Sequence, residues 1–139
     1  FDSCKKIESI HNYIDFSDFV LRKGAIRAKK DQLCLLALNM RDGILLCKGK
    51  GNERWNESSA HGSGRMITRQ KAIKNKVAIV KRLEKEMTEN DIYTSGIYTA
   101  FIDEAPECYK DSELIKELIE PSVEIIEQLK PILNIKGPL

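Results

Sequence analysis

Apolar positions along the chain change their spacing several times, and each change predicts a different element. His11-Asn12-Tyr13-Ile14-Asp15-Phe16 alternates in the period of an extended strand. Phe19-Val20-Leu21-Arg22 and Ala25-Ile26-Arg27-Ala28 flank Lys23-Gly24, which predicts a hairpin. Apolar runs from Gln32 to Leu38 and from Ile44 to Cys47 enclose Asn39-Met40-Arg41-Asp42-Gly43, and Asp-Gly at such a tip predicts a tight β turn. Residues 2–9 are expected to close a helix. The first third otherwise reads as strands.

From Lys48 to Gly64, glycine, asparagine and serine replace any apolar period, which predicts a long functional or disordered loop. Ile73, Val77, Val80, Leu83 and Met87 then recur at helical spacing, so a helix is expected from near Met66 to just before Asn90, with Met66 and Met87 in its core. Ile92 to Tyr98 is β-prone. Asp111-Ser112-Glu113 caps a second helix through Ile119. Pro121 suits the first turn of a third helix that would bury Val123, Ile126 and Leu129. Pro131 to Lys136 reads as strand or coil. The expected fold class is α+β, one domain over residues 1–139, strands first and helices afterwards.

Composition narrows the classes. The chain is 42% apolar and 32% charged, too apolar for a disordered segment. No stretch approaches the ~20 apolar residues of a membrane helix, so no membrane span is expected. The start, Phe1-Asp2-Ser3-Cys4, has neither an initiator Met nor an apolar signal core and reads as a cut inside a longer protein. Cys4, Cys34, Cys47 and Cys108 include no C-x-x-C pair, and Cys34 and Cys47 are expected as reduced core thiols. The net charge of +2 hides an uneven distribution: +6 between Gly64 and Glu86 against −7 between Asp103 and Glu127. A basic segment of that size makes an anionic partner plausible.

The sharpest chemistry lies in His61-Gly62-Ser63-Gly64-Arg65-Met66-Ile67-Thr68-Arg69. Glycines let backbone amides approach an anion, and a helix start beyond them would add unpaired N–H groups. Arg65 and Arg69, four apart, would share one helix face and fork onto phosphate oxygens. A histidine beside bound phosphate can act as acid, base or nucleophile. The alternative is that the glycines only shape a turn. Other nucleotide and nucleophile signatures fail: Gly43 to Lys50 misses the phosphate-loop spacing, and Gly62-Ser63-Gly64 is too tight for a serine elbow. Taken alone, His11 reads as a core histidine, Tyr109 as a half-buried tyrosine and Lys136 as a solvated lysine.

That segment resembles the His-Gly-Ala-Gly-Arg-x-x-Ser-Arg signature of the RtcB RNA ligases, the GTP-dependent tRNA-splicing and RNA-repair enzymes. His11-Asn12-Tyr13 looks like the family's metal-binding His-Asn segment, and Leu21-Arg22-Lys23-Gly24-Ala25 like its Arg-Lys-Gly-Ala segment. Asp103-Glu104-Ala105-Pro106-Glu107-Cys108-Tyr109-Lys110 is similar to Glu-Glu-Ala-Pro-x-x-Tyr-Lys, and Ile135-Lys136-Gly137 to the closing x-Lys-Gly. The matches cover only the C-terminal part of such a ligase.

The resemblance implies roles. His61 stands where the family carries its guanylylated histidine, which takes GMP from GTP and passes it to an RNA 3′-phosphate before a 5′-hydroxyl closes the phosphodiester. Tyr109 and Lys136 stand at guanine-holding positions, with Asn39, Gly62 and Ser63 beside the nucleotide. Arg65 and Arg69 stand at arginines of the RNA or phosphate site, with Arg22 and Lys23 as further candidates. His11 stands at one manganese ligand. Implied partners are GTP, Mn²⁺, a broken tRNA or other cleaved RNA and an archease-like activator, in the cytoplasm. Two departures accompany the match. Ala37-Leu38-Asn39-Met40-Arg41-Asp42 stands where the family has Pro-Gly-Ser-Met-Gly-Thr, and its other metal ligands lie upstream of Phe1. A non-catalytic RNA- or nucleotide-binding domain is the rival reading.

Overall fold

The computed structural model describes residues 6–74, 76–95 and 101–135, and the fold is α+β. The strands are β1 (Asn12–Asp15), β2 (Val20–Lys23), β3 (Ala25–Arg27), β4 (Leu33–Ala37), β5 (Ile44–Gly49), β6 (Ser58–Ala60), β7 (Tyr93–Ser95), β8 (Val123–Leu129) and β9 (Leu133–Ile135). The helices are α1 (Arg69–Lys74), α2 (Lys76–Glu89) and α3 (Ser112–Ile119). Of residues 2–9, expected to close a helix, 2–5 lie outside the described residues and 6–9 are not helical.

β1 and β2 form an antiparallel hairpin, but the hairpin expected across Lys23-Gly24 does not form. Gly24 takes the left-handed φ of +64° and turns a corner, so β3 leaves β2 and pairs with β6. β6 also divides the stretch expected as one long loop. Before it, Asn52 caps a 3₁₀ turn over Glu53–Trp55, and Asn56 in the left-handed region ends that turn.

β4 and β5 pair as expected, with Cys34 opposite Cys47. Both cysteines are free thiols, and burial pushes them up to about 11 and about 12, so they stay protonated packing groups. The connection between the strands is wider than a two-residue turn. Leu38 N–H donates to Gly43 O (2.8 Å) and Gly43 N–H to Asn39 O (2.9 Å), and within that loop Asn39 Oδ1 accepts the N–H groups of Arg41 (3.0 Å) and Asp42 (2.9 Å).

Asp42 anchors this loop. Its carboxylate accepts from Arg41 Nε (2.7 Å), Asn39 Nδ2 (2.8 Å) and the Ser112 hydroxyl at the start of α3. Burial alone would raise it, but those donors outweigh burial and hold it at about 2, below its ordinary 3.8. A depressed carboxylate contributes stability above its unfolded value and loses it as pH falls through its folded one. Asp42→Asn is therefore expected to flatten the decline in thermal midpoint between about pH 4 and pH 2, as read by circular dichroism melts.

β8 replaces the helix expected after Pro121. Its register shifts between Leu46 and Cys47, which face Glu127 and Ile125, so Ile126 is the extra residue of a bulge. That bulge breaks the alternation and leaves Val123, Ile126 and Leu129 at a three-residue spacing that imitates a helix face. Of these only Val123 is buried. In α1 and α2 the expected face holds at Leu83 and Met87, with Val80 partly buried against the same core, and shifts before them. Ala72, Ile79, Leu83 and Met87 are buried, whereas Ile73, Val77 and Met66 are exposed. α3 forms as expected, with Asp111 accepting the N–H groups of Glu113 and Leu114.

Two cores result. One joins β3, β4 and β5 to Ile115 and Ile119 of α3; the other joins α1 and α2 to Met40 and the segment Ile102–Cys108. Arg22 belongs to neither and does not face solvent. At 2% exposure it donates to Asp15 Oδ2 and Asp18 Oδ2 (each 3.2 Å), Ser58 Oγ (3.0 Å) and Asn56 O (3.2 Å). All of its nitrogens are used within the fold, so it is not presented to RNA.

Candidate active site

After β6 the chain runs from His61 to Met66 between parts of the two cores, turning at Gly64, whose φ is +69°. On one side the Ala37 N–H donates to His61 O and the Ser63 N–H to Ala37 O, both at 3.1 Å. On the other, Lys110 N–H reaches Gly64 O (3.0 Å), Met66 N–H reaches Cys108 O (2.8 Å), and Arg65 faces Tyr109. A Cβ on Gly62 would stand 2.8 Å from Ala37 O, so this approach requires glycine. The helix begins only at Arg69. Arg65 therefore lies in extended backbone, and the shared helix face expected for Arg65 and Arg69 does not arise.

His61 is exposed, and its Nδ1 lies 2.7 Å from Gly24 O. A carbonyl only accepts, so Nδ1 carries the hydrogen, and in the neutral ring Nε2 holds the lone pair. The His11 ring stacks on the His61 ring, with centroids 4.7 Å apart and planes 11° apart.

Arg65 is held at the other end of the segment. It donates to the Asp103 carbonyl and to Glu104 Oε1, lies 3.6 Å from Asp103 Oδ2, and sits over the Tyr109 ring at 5.0 Å. The Tyr109 hydroxyl donates to Glu104 Oε2 at 2.7 Å. Burial and then that carboxylate push the Tyr109 phenol well above its ordinary range, so it remains a donor.

A cavity of about 890 Å³ runs along this segment. His61, Gly62, Ser63, Gly64, Arg65, Glu104 and Tyr109 give its lining a polar part, and Ile44, Leu129, Ile132 and Leu133 an apolar part. A flat aromatic base suits the second part and a phosphate the first.

The sequence-predicted residues divide by place. His61, Gly62, Ser63, Arg65, Tyr109 and Asn39 all line the cavity. The Asn39 side chain is engaged with Asp42, Ser112 and its own loop. Ser63 is buried, and its hydroxyl has no hydrogen-bond partner among the described residues. His11 joins the site through its stack on His61. Lys23 is exposed at the end of β2, opposite Asn12. Arg69 opens α1. Lys136 lies outside the described residues. Among the described residues no group of three or more His, Cys, Asp or Glu side chains could hold a metal, so His11 is a single donor there and not a complete centre. Sequence reasoning missed Asn12, Gly24 and Glu104 as site residues. Their only signal was membership in the motifs that carry His11, Lys23 and Tyr109.

Comparison with known proteins adds the following. The family model described as "tRNA-splicing ligase RtcB" matches residues 2–137. The chain is 29% identical, over 96% of its own length, to two curated Escherichia coli proteins. These are the RNA-splicing ligase RtcB of strain K12 and RNA-splicing ligase RtcB1 of strain ATCC 25922. It spans 33% of the length of each. Among the described residues no helix is long and apolar enough to cross a membrane.

Proposed function

The chain belongs to the RtcB family of tRNA-splicing ligases, and from that membership we propose that residues 1–139 form the C-terminal part of a GTP-dependent RNA ligase. Such an enzyme joins RNA 2′,3′-cyclic-phosphate or 3′-phosphate ends to 5′-hydroxyl ends. One observation carries the reading: His61 Nδ1–H is spent on Gly24 O, which in the neutral ring places the lone pair on Nε2, beside a cavity of nucleotide size.

In this mechanism Nε2 attacks the α-phosphorus of GTP. The N–P bond forms as the bond to the pyrophosphate oxygen breaks, and pyrophosphate leaves with that electron pair. An oxygen of the RNA 3′-phosphate then attacks the same phosphorus, which returns the electron pair to Nε2 and activates the RNA end with GMP. The 5′-hydroxyl of the second RNA finally attacks the 3′-phosphorus and expels GMP. Each step builds charge on phosphate oxygens, which a fixed guanidinium stabilises without reorganising. Arg65 supports that role through its position on the cavity wall. Arg69 and Lys23 are proposed at the RNA phosphates, and Tyr109, Lys136 and Asn39 at the nucleotide, with the apolar part of the lining against guanine.

Manganese, which family membership implies, would take His11 as one ligand; among the described residues no group of three or more His, Cys, Asp or Glu side chains could hold it there. We propose cleaved RNA such as broken tRNA as the substrate, an archease-like protein as activator, and the cytoplasm as the compartment. The test is joining of two RNA oligonucleotides by the full-length protein with GTP and MnCl₂. A 2′,3′-cyclic-phosphate end and a 5′-hydroxyl end are expected to give a product, and a 3′-hydroxyl end none. Nucleotide binding without joining would instead favour a domain that kept the pocket and lost the chemistry.

A further inference from the structure

The nucleophile's tautomer depends on a backbone carbonyl, and that carbonyl belongs to a residue with no side chain to hold it. Gly24 has φ +64°, a conformation glycine enters and leaves easily. Something must keep its carbonyl aimed at His61. Two contacts do so. The Gly24 N–H donates to Asn12 Oδ1 at 3.0 Å, and the next N–H, of Ala25, donates to His11 O at 3.4 Å. The second shares the rigid Gly24–Ala25 peptide with the carbonyl but is long, whereas the shorter Asn12 bond fixes the preceding peptide, the anchor from which Gly24's torsions set the carbonyl.

We propose that Asn12 is a positioning residue for the His61 nucleophile. Its side-chain oxygen fixes the Lys23–Gly24 peptide, the Gly24 carbonyl fixes Nδ1–H, and Nε2 is left bare and directed. The inference rests on the proposed role of His61, yet the chain of bonds stands whatever the reaction. Asn12 is exposed and packs in neither core, so its substitution tests orientation rather than folding.

The experiment is ¹⁵N NMR of histidine-labelled full-length protein, in which protonated and unprotonated ring nitrogens resonate far apart. Wild type is expected to show His61 with hydrogen on Nδ1 and none on Nε2. Asn12→Ala is expected to lose that preference and populate both tautomers, with its thermal midpoint held and its rate of GMP transfer from GTP down about tenfold. Asn12→Asp, which keeps an acceptor oxygen at the same place, is expected to restore the wild-type pattern. A wild-type ring with its hydrogen on Nε2 would overturn the proposal. So would an Asn12→Ala ring indistinguishable from wild type, or an Asn12→Asp ring no better than Asn12→Ala. Should wild type form no GMP adduct, the proposed function fails while the tautomer measurement still decides the role of Asn12.

Discussion

His61→Asn in the full-length protein is expected to end RNA joining, with a rate loss of at least about ten-thousandfold. An amide nitrogen has no lone pair available for phosphorus, so the substitution removes the bond-forming atom while keeping a polar side chain. The fold should not notice. His61 is exposed, and among the described residues its side chain contacts Gly24 O and stacks on the exposed His11 ring. Surface changes of that kind shift stability by about 0.5 kcal/mol or less, so the melting midpoint should move by no more than about 2 °C. Joining assays and melts on the same preparation check the two halves. An equal fall in both would make His61 a structural residue.

Arg22→Met is expected to do the opposite. The arginine lies within hairpin β1–β2, with Asp15 and Asp18 on its terminal nitrogens and Ser58 and Asn56 on β6 and its approach. Asp15 is also held near 2, first by the Ser17 hydroxyl and N–H and then by Arg27, so it stays ionised across the useful pH range. Methionine fills much of the space and supplies no donor. The variant takes a donor from the buried Asp15 carboxylate, from the half-buried Asp18 carboxylate and Ser58 hydroxyl, and from the Asn56 carbonyl, although Arg27, Lys29 and Ser58 keep contacts to Asp15, Asp18 and Asn56 O. That costs about 3 kcal/mol, read as a fall in melting midpoint on the order of 10 °C. Had Arg22 served RNA, as its place in the Arg-Lys-Gly-Ala segment implied, the same change would spare the melt and weaken RNA binding.

How much could be read in advance depended on whether local chemistry and tertiary context agreed. β4, β5 and α3 were legible because their signals are local: paired apolar runs around a polar turn, and an aspartate that caps its own helix. β8 was not, because one bulged isoleucine shifts the alternation into a helix-like spacing that only the partner strand reveals. The corner at Gly24 was mistaken for a hairpin because Lys-Gly serves either, and the choice falls to β6, more than thirty residues on. The same contact explains what was missed at the site. His61, Gly62, Ser63 and Arg65 could be named from one contiguous segment. Gly24 and Asn12 reach His61 only through the β3–β6 pairing, and Glu104 reaches Arg65 only through the bridge to Tyr109. Distant pairing leaves no periodic trace in the chain.

The account turns on a covalent bond to one ring nitrogen. Full-length protein incubated with α-labelled GTP and MnCl₂, then denatured and digested, should carry GMP on the peptide containing His61. The linkage should break in acid, survive alkali, and be missing from His61→Asn. Label that persists in His61→Asn, or wild-type protein that holds GTP through repeated turnover conditions without ever becoming labelled, would contradict it.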